Sequence, residues 1–351
     1  MPKHLDANIA EKLGERILEY CIHHNLKSFQ VMLHGGEPLL VGKLKLQELI
    51  NRLRKSASPI NLNIGMQTNG VLIDNEFLKL IKENGIKVGI SLDGNLEQNK
   101  RRVDLKGKST FDQALRGFRL IQDHAPECLS GILAVIDLNN NATETINFLC
   151  SLKPKQLDLL LPFETHDTLG LKHFDWSERL DLWLFEAFDS WFYSKENSIV
   201  KLRIFEDVLQ SILTKLPRTD WFGPRRITYL VVVTNGEFET LDHLKMLGEN
   251  SSDFRKTKSD VFNNSISFAE KSATSLLQNT GASTLPENCE SCSVKDICAG
   301  GYLPHRYSSS NLFNNSSVAC TAIKGMFRRF LPIVTNHNNI LTSHKEGSYE
   351  I

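Results

Sequence analysis

A regular alternation of strand-like and helix-like segments over residues 6–161 constrains the fold of this chain more than any other feature. Short apolar runs predict strands, and apolar residues recurring every three or four positions predict helices. The predicted strands cover residues 29–33, 61–66, 87–90, 131–136 and 157–161, and the predicted helices cover residues 6–24, 43–54, 75–83, 111–123 and 144–152. Strands separated by helices of about 10–15 residues indicate βαβ units, and therefore an α/β fold with a parallel sheet.

Polar turns directly follow three of these predicted strands. They are Gly35-Gly36-Glu37-Pro38, Gln67-Thr68-Asn69-Gly70 and Ser91-Leu92-Asp93-Gly94. Each turn alone is compatible with an ordinary connection or a helix cap. Because the carboxyl ends of parallel strands meet at the edge where α/β proteins bind ligands, the three turns together predict one site. Asp93 with Arg101 or Arg102 offers opposite charges that suit an amino-acid-like ligand.

Four of the seven cysteines are clustered towards the C-terminal end, namely Cys289, Cys292, Cys298 and Cys320. In a reducing compartment such a cluster favours a metal over disulfides. Four thiolates suit either tetrahedral zinc or an iron–sulfur cluster, and the spacing does not choose between them. The other three, Cys21, Cys128 and Cys150, lie within apolar stretches and are predicted to be small core residues.

Composition excludes several classes of partner. Basic and acidic residues are equal in number, 41 of each, so nothing in the overall charge points to nucleic acid. No apolar run approaches the ~18 residues of a membrane span, and the N-terminal segment is typical of an amphipathic helix rather than a signal peptide. We expect a cytoplasmic protein without nucleic-acid or membrane partners.

Beyond residue 170 the pattern changes, and a division into domains is predicted. Residues 1–170 form the α/β domain, and residues 171–248 form a connecting region of helices and a hairpin turning at Asn235-Gly236. Residues 249–284, rich in Ser, Asn, Lys and Thr, are expected to be a flexible surface segment. The cysteine-bearing module covers residues 285–335, and a tail covers residues 336–351.

Taken in order, these motifs resemble those of radical S-adenosylmethionine (SAM) enzymes of the SPASM type, in the group of anaerobic sulfatase-maturating enzymes and peptide maturases. The tail of the chain is similar to the FxsB-like branch of that group. This similarity lies in the cysteine cluster and in three further runs, Gly300-Gly301-Tyr302-Leu303-Pro304-His305-Arg306-Tyr307, Ile204-Phe205-Glu206 and Val231-Val232-Val233-Thr234-Asn235-Gly236. The resemblance covers nearly the whole chain and implies a partial (β/α) barrel followed by a small SPASM-like or twitch-like module.

The resemblance also implies roles for individual residues. The loop of Gly35, Gly36, Glu37 and Pro38 would hold the amino group of SAM, and Ser91 with Arg101 or Arg102 would contact its carboxylate. Thr68, Asn69 and the strand at 131–136 would line the nucleoside region, and Asp93 would be a functional acidic residue near the substrate. The four clustered cysteines would hold an auxiliary [4Fe–4S] cluster. The substrate would be a ribosomally made precursor peptide, modified by a side-chain cross-link such as a cyclophane, with a reducing electron donor as a further partner.

One departure from the family pattern is expected to matter. The family carries Cys-x3-Cys-x2-Cys after the first barrel strand, for the cluster that binds SAM, and this sequence contains no such triplet. Cys21 cannot replace it, because the matching positions hold Asn25 and Ser28. We interpret the absence as truncation rather than true loss, since the other motifs are intact and a missing strand exposes a sheet edge. The chain is then inactive by itself. The alternatives are a peptide-binding pseudoenzyme without catalysis and a zinc-stapled structural scaffold.

Overall fold

The structure is a computed structural model. It describes residues 2–214, 229–240, 242–245, 247, 254–271 and 285–346. The chain divides into two compact units. The first comprises Met1–Ile136, Phe148–Leu160 and Thr228–Leu276, and the second comprises Asp137–Asn147, Leu161–Ile227 and Leu277–Ile351. The finer division into domains that we derived from the sequence stays a prediction.

Five parallel strands form the sheet of the first unit. They are β1 (Ser28–Leu33), β2 (Asn61–Thr68), β3 (Lys87–Ser91), β4 (Leu129–Val135) and β5 (Gln156–Leu160). Each strand pairs with the next one along the chain, from Ser28 opposite Asn61 in the first pair to Val135 opposite Leu160 in the last. Because all five run in the same direction, their carboxyl ends lie at one edge of the sheet.

The helices described in the structure confirm the predicted alternation. In chain order they are α1 (Ala7–His23), α2 (Lys43–Ser56), α3 (Asn75–Glu83), α4 (Phe111–His124), α5 (Ala142–Ser151), α6 (His166–Leu169), α7 (His173–Phe192), α8 (Arg203–Thr214), α9 (Asp242–Lys245), α10 (Phe254–Thr257), α11 (Ile266–Glu270), α12 (Glu287–Glu290), α13 (Lys295–Cys298) and α14 (Cys320–Glu346). Side chains at the amino ends explain where two of them begin. The Asp6 carboxylate accepts a hydrogen bond from the backbone N–H of Asn8, and the Asp74 carboxylate accepts one from Phe77.

The alternating burial of β2 shows how the sheet contributes to the core. Leu62, Ile64, Met66 and Thr68 are buried, whereas Asn61 and Asn63 between them are exposed. A period of two residues is what a strand gives when alternate side chains point to opposite faces. The cysteines predicted as core residues, Cys21, Cys128 and Cys150, are buried as expected.

A smaller hydrophobic cluster completes the first unit. Ile9 packs with Phe238, Phe254, Val261 and Ala269, all buried. The predicted hairpin is present, as β6 (Val231–Val232) pairs antiparallel with β7 (Phe238–Glu239). Residues 254–271 therefore contribute to a core instead of forming only a surface segment, because three apolar side chains interrupt the polar composition on which that expectation depended. The rest of the predicted segment at 249–284 lies outside the described residues.

Aromatic side chains hold the helices of the second unit together. Phe188 of α7 has its ring centroid 4.2 Å from that of Phe330 on α14 and 5.3 Å from that of Phe205 on α8. A bidentate ion pair joins Arg329 to Asp181, with the Nη1 to Oδ1 distance at 2.6 Å. Such contacts combine apolar burial with directional pairing, and they fix α14, the helix that begins at Cys320.

Within the part of the chain that the structure describes, no helix combines the length and the apolar character that crossing a membrane requires.

Candidate functional site

Glu37 joins the loop after β1 to the turn after β2. Its Oε1 atom accepts hydrogen bonds from the Thr68 hydroxyl at 2.6 Å and from the backbone N–H of Leu39 at 3.1 Å. Its Oε2 atom accepts from the backbone N–H of Asn69 at 2.9 Å. The Thr68 hydroxyl is buried and also accepts from the Gly70 N–H. The carboxylate therefore fixes the relative position of two loops at the carboxyl edge of the sheet.

The two glycines before Glu37 leave the backbone of this loop open. Gly35 has a φ of +131°, which an L side chain rarely adopts. A Cβ placed at either Gly35 or Gly36 would have no atom within 4 Å, and both residues are exposed. Pro38 begins a short 3-10 helix, Pro38–Val41, which limits the movement of the loop. A ligand can approach the backbone here without meeting side chains.

A second hydrogen bond joins the ends of β2 and β3. Gln67 Nε2 donates to the Ser91 hydroxyl at 2.9 Å. The side chain of Gln67 fits because the neighbouring residue on β3 is Gly89, where a Cβ would lie 2.2 Å from Gln67 Oε1. Ser91 is therefore held in place by a side chain that sequence reasoning did not select.

Asp93 and Arg102 form a bidentate ion pair at the end of β3. Arg102 Nε donates to Asp93 Oδ2 and Arg102 Nη2 donates to Asp93 Oδ1, both at 2.7 Å. Asp93 Oδ1 also accepts from the backbone N–H of Val135 on β4, at 2.9 Å. The Asn99 side chain accepts from the Asp93 N–H. Arg101, the neighbouring candidate, is exposed to solvent.

These contacts form a chain of links along the sheet edge. Glu37 connects β1 to β2, Gln67 connects β2 to β3, and Asp93 connects β3 to β4. The structure thus brings the three predicted polar turns and the end of the strand at 131–136 to a single edge. The opposite charges of Asp93 and Arg102, however, bind one another, instead of standing apart to hold two ends of a ligand.

The second unit holds the clustered cysteines around one cavity. Cys289, Cys292, Cys298 and Cys320 all line it, and its volume is about 20 Å³. The remaining lining residues are Val294, Lys295, Gly300, Ile323 and Lys324. Cys289 lies in α12, Cys298 ends α13 and Cys320 begins α14, so three short stretches of chain deliver the thiols to one place.

Three successive residues with positive φ turn the chain at the cavity. They are Ala299 at +48°, Gly300 at +87° and Gly301 at +72°. Two glycines at this point fit the need for a left-handed backbone. The turn returns the chain from α13 towards a buried 3-10 helix, Leu303–Arg306.

Burial dominates the protonation of these thiols. Burial and the neighbouring Cys320, Cys289 and Cys292 together raise the pKa of Cys298 to about 12, against the opposing effect of a hydrogen bond with the Gly300 backbone. The pKa of Cys289 is also raised by burial, against an opposing effect of the Arg306 guanidinium. Burial lowers the pKa of Arg306 itself, while the nearby Cys289 and Cys298 oppose that change. Burial also raises the pKa of Cys320, so a metal that binds at Cys289, Cys298 and Cys320 would have to displace protons.

Among the described residues, no three or more His, Cys, Asp or Glu side chains are already placed to hold one metal ion. The four soft thiol donors that line one cavity nevertheless have the chemistry of an iron–sulfur site. They also remain compatible with zinc, since thiolates bind both.

Comparison with known proteins relates part of this chain to a known family. Residues 7–149, which contain β1 to β4 and every residue of the strand-end links, match the family model described as the radical SAM superfamily. This chain carries a radical SAM domain.

Relatives extend the similarity beyond that domain. The cysteine-type anaerobic sulfatase-maturating enzyme of Clostridium novyi (strain NT) is 26% identical over 352 residues, which cover 93% of this chain and 86% of that enzyme. The serine-type anaerobic sulfatase-maturating enzyme of Klebsiella aerogenes is 24% identical and covers 79% of this chain and 67% of its own. The predicted relationship to radical SAM maturases of this kind is confirmed, while the FxsB-like branch stays a prediction.

Solved structures confirm the fold. The structure described as native anSMEcpe with bound AdoMet has a TM-score of 0.78 at 21% identity, covering 96% of this chain and 91% of that one. A second, described as native anSMEcpe with bound AdoMet and Cp18Cys peptide, also has a TM-score of 0.78 at 22% identity and covers 96% and 92%. The α/β class with a parallel sheet is therefore correct, and a cysteine-rich SPASM module remains a prediction.

Sequence reasoning about the radical SAM domain missed the residues that connect its loops. Gln67 belongs to a predicted turn but was given no role of its own, Asn99 lies outside the predicted turns, and the Val135 N–H is a backbone group without a sequence signal. For Glu37 the signal existed, since a carboxylate between Gly-Gly and Pro was noted, but its partners are two loops of the protein.

Proposed function

We propose that this protein is a radical SAM maturase that acts on a peptide, with SAM bound at the strand-end site and an auxiliary [4Fe–4S] cluster held by the four cysteines. The observation that carries the proposal is similarity to anaerobic sulfatase-maturating enzymes over 93% of the chain, which includes both sites. The likeness to the structure of native anSMEcpe with bound AdoMet and Cp18Cys peptide supports a peptide as substrate. We assign it a ribosomally made precursor, modified by a side-chain cross-link such as a cyclophane, with a reducing electron donor as partner.

The strand-end contacts refine which atoms would hold SAM. The carboxylate of Glu37 already accepts three hydrogen bonds, so we assign recognition of the ammonium group to the open backbone of Gly35, Gly36 and Pro38. Ser91 and Arg101 are assigned to the SAM carboxylate, because two nitrogens of Arg102 donate to Asp93. Asn69, held by its backbone to Glu37, and Thr68 beneath it would shape the nucleoside end of the site.

Asp93 keeps its place as the acidic residue proposed to face the substrate. Its carboxylate is fixed on two sides, by the guanidinium of Arg102 and by the Val135 N–H. A carboxylate held in this way is suited to orienting a substrate group by accepting a hydrogen bond. Its side chain remains 14% exposed, which leaves an edge of the carboxylate accessible.

The residues present fit the auxiliary cluster and do not fit the cluster that binds SAM. When bound, iron–sulfur clusters supply one-electron chemistry that the protein itself only positions. The sequence contains no Cys-x3-Cys-x2-Cys, and Cys21, Cys128 and Cys150 are buried in apolar surroundings. We propose that a polypeptide of this sequence binds SAM and peptide but does not cleave SAM by itself.

A second candidate is a zinc-stapled scaffold, favoured by the same four thiols. Iron analysis separates the two. After anaerobic reconstitution with iron and sulfide, we expect about four irons per chain, because thiolate-bound cubane clusters take four cysteines. Cys292→Ala should abolish iron uptake. Cys128→Ala removes a cysteine outside the cavity and should leave the iron content unchanged.

Binding of SAM tests the other half of the proposal. By equilibrium dialysis, the wild-type chain should bind SAM, and Gly36→Ala should weaken binding because its methyl group occupies the open backbone face. Zinc in place of iron, or SAM binding that is indifferent to Gly36→Ala, would contradict the corresponding assignment. Reduction of the reconstituted protein should release no 5′-deoxyadenosine from SAM.

A further inference from the structure

Arg306 is the largest fully buried side chain among the described residues, with 1% of its surface exposed. A charged side chain is rarely buried to this extent, because removing a charge from water costs several kcal/mol unless the surroundings compensate it. The position of Arg306 in the second unit therefore requires a physical reason. Its neighbours supply one.

Hydrogen bonds fix the stem of Arg306 in one orientation. Its Nε donates to the carbonyl oxygen of Phe313 at 3.1 Å and to that of Asn315 at 3.3 Å. Asn315 Nδ2 donates back to the carbonyl oxygen of Arg306 at 2.8 Å. These carbonyl groups orient the guanidinium but carry no net charge.

The other end of the guanidinium lies against the wall of the cysteine cavity. A Cβ placed at Gly300 would be 3.1 Å from Arg306 Nη1, and Gly300 itself lines the cavity beside the four cysteines. Only the backbone of Gly300 thus lies between the guanidinium of Arg306 and the cavity that the thiols line. The two lysines at the same cavity, Lys295 and Lys324, are exposed to solvent instead.

The charge of a metal centre in this cavity is negative with either metal. Four thiolates around a zinc ion leave a net charge of about −2, and four around an oxidised [4Fe–4S] core leave the same. Within a protein interior the attraction between opposite charges is several times stronger than in water. A guanidinium cannot relieve its burial by losing its proton, so it keeps its charge beside the centre.

We propose that Arg306 stabilises the anionic tetrathiolate centre from within the protein, as a positioning and charge-compensating residue that is not itself a ligand. The inference rests on the metal site of the proposed function but not on the choice of iron over zinc. Lys324 acts from the exposed side of the cavity, where water and salt screen its charge, so we expect its effect to be smaller.

Three variants separate charge from packing. Arg306→Gln removes the charge and keeps a hydrogen-bonding side chain, Arg306→Lys keeps the charge, and Lys324→Gln removes a charge from the exposed side of the same cavity. Each full-length chain is loaded with Zn²⁺ and, separately, with iron and sulfide, and then titrated with a chelator. Melting of the metal-free chains reports whether each variant folds.

Arg306→Gln should lose metal at a chelator concentration about 10–100-fold lower than wild type, the range typical of residues that support metal ligands. Lys324→Gln should differ from wild type by less than about fivefold. Arg306→Lys should recover most of the lost affinity. In the iron form, Arg306→Gln should also shift the midpoint reduction potential to a more negative value, since a lost positive charge disfavours the added electron.

Equal losses in Arg306→Gln and Lys324→Gln would overturn the inference, as would an Arg306→Lys chain that binds as weakly as Arg306→Gln. If Arg306→Gln does not fold, the test depends on Arg306→Lys, which keeps the positive charge. Weak metal binding by a folded Arg306→Lys chain would then contradict the proposal. A chain that takes zinc but no iron and sulfide refutes the proposed cluster and still permits the comparison. A chain that takes iron equally well in every variant refutes only the role of Arg306.

Discussion

Replacing Glu37 by Gln should disconnect the first two loops of the strand-end site. The substitution keeps the size of the side chain and converts one acceptor oxygen into an NH₂ group. The less costly orientation keeps the amide oxygen towards Thr68 and Leu39, on the side where Oε1 accepts two hydrogen bonds. The NH₂ group then faces the backbone N–H of Asn69, and that hydrogen bond is lost.

The size of the effect follows from this count. A hydrogen bond to a charged group contributes about 1.5–3 kcal/mol, and the two remaining bonds weaken when the acceptor becomes neutral. We expect Glu37→Gln to lower the free energy of unfolding by about 2–4 kcal/mol. For a domain of this size each kcal/mol corresponds to about 2–4 °C, so the melting temperature should fall by about 5–15 °C.

Hydrogen exchange locates the effect. In Glu37→Gln the backbone amide of Asn69 should exchange faster than in wild type, because its acceptor has gone. Urea unfolding gives the change in free energy. The matched control is Glu48→Gln, where the carboxylate is 52% exposed and lies 3.9 Å from Arg52, and this change should cost less than about 0.5 kcal/mol. If Glu37→Gln is no more destabilising than this control, and the Asn69 amide exchanges as before, Glu37 does not hold the two loops together.

Three further substitutions probe other contacts of the first unit. Asp93→Asn should cost about 2 kcal/mol in urea unfolding by breaking the ion pair with Arg102, and a loss fully additive with that of Arg102→Met would contradict the pairing. Gly117→Ala should cost about 2–3 kcal/mol, since its Cβ would lie 2.1 Å from the Gly70 carbonyl oxygen, whereas Gly36→Ala should leave stability unchanged. Burial and the hydrogen bond to Glu270 raise the pKa of Tyr20 to about 12, so its stabilising effect is complete below pH 10 and lost as the pH rises towards 12. Urea midpoints at about pH 9 and 11 should therefore fall more steeply for wild type than for Tyr20→Phe, and parallel curves would contradict this.

Strand and helix positions in the first unit could be predicted because local pattern and tertiary role agree there. Asn75–Glu83 is a helix in both, since Asp74 caps it and Phe77 and Ile81 lie on its buried face. The edge of the sheet could be predicted because a parallel arrangement puts every strand end on one side. The residues between 254 and 271 were not predicted to be in a core, because scattered apolar side chains such as Val261 give no periodic signal in a polar segment.

The partners of polar side chains could not be predicted from the sequence. Glu37, Thr68 and Asn69 were each selected as ligand contacts, yet their closest contacts are with one another. Asp93 and Arg102 were selected for their opposite charges, and the structure shows that the charges neutralise each other. Composition and spacing identify which polar side chains meet at the carboxyl edge of the sheet. Whether such a side chain faces a ligand or another side chain depends on distances that the strand register sets.

The two candidate sites differ in how much of each is complete before anything binds. At the strand ends, hydrogen bonds within the protein already fix Glu37 and Asp93, so a ligand would meet a surface that needs little reordering. At the cysteine cavity the opposite holds, since burial raises the pKa of Cys298 to about 12 and favours its neutral form. A metal entering there must release protons, and its affinity should rise with pH for that reason. If the proposed role of Arg306 holds, its buried charge is costly beside neutral thiols and favourable beside thiolates, so a metal bound at these thiols would stabilise the second unit.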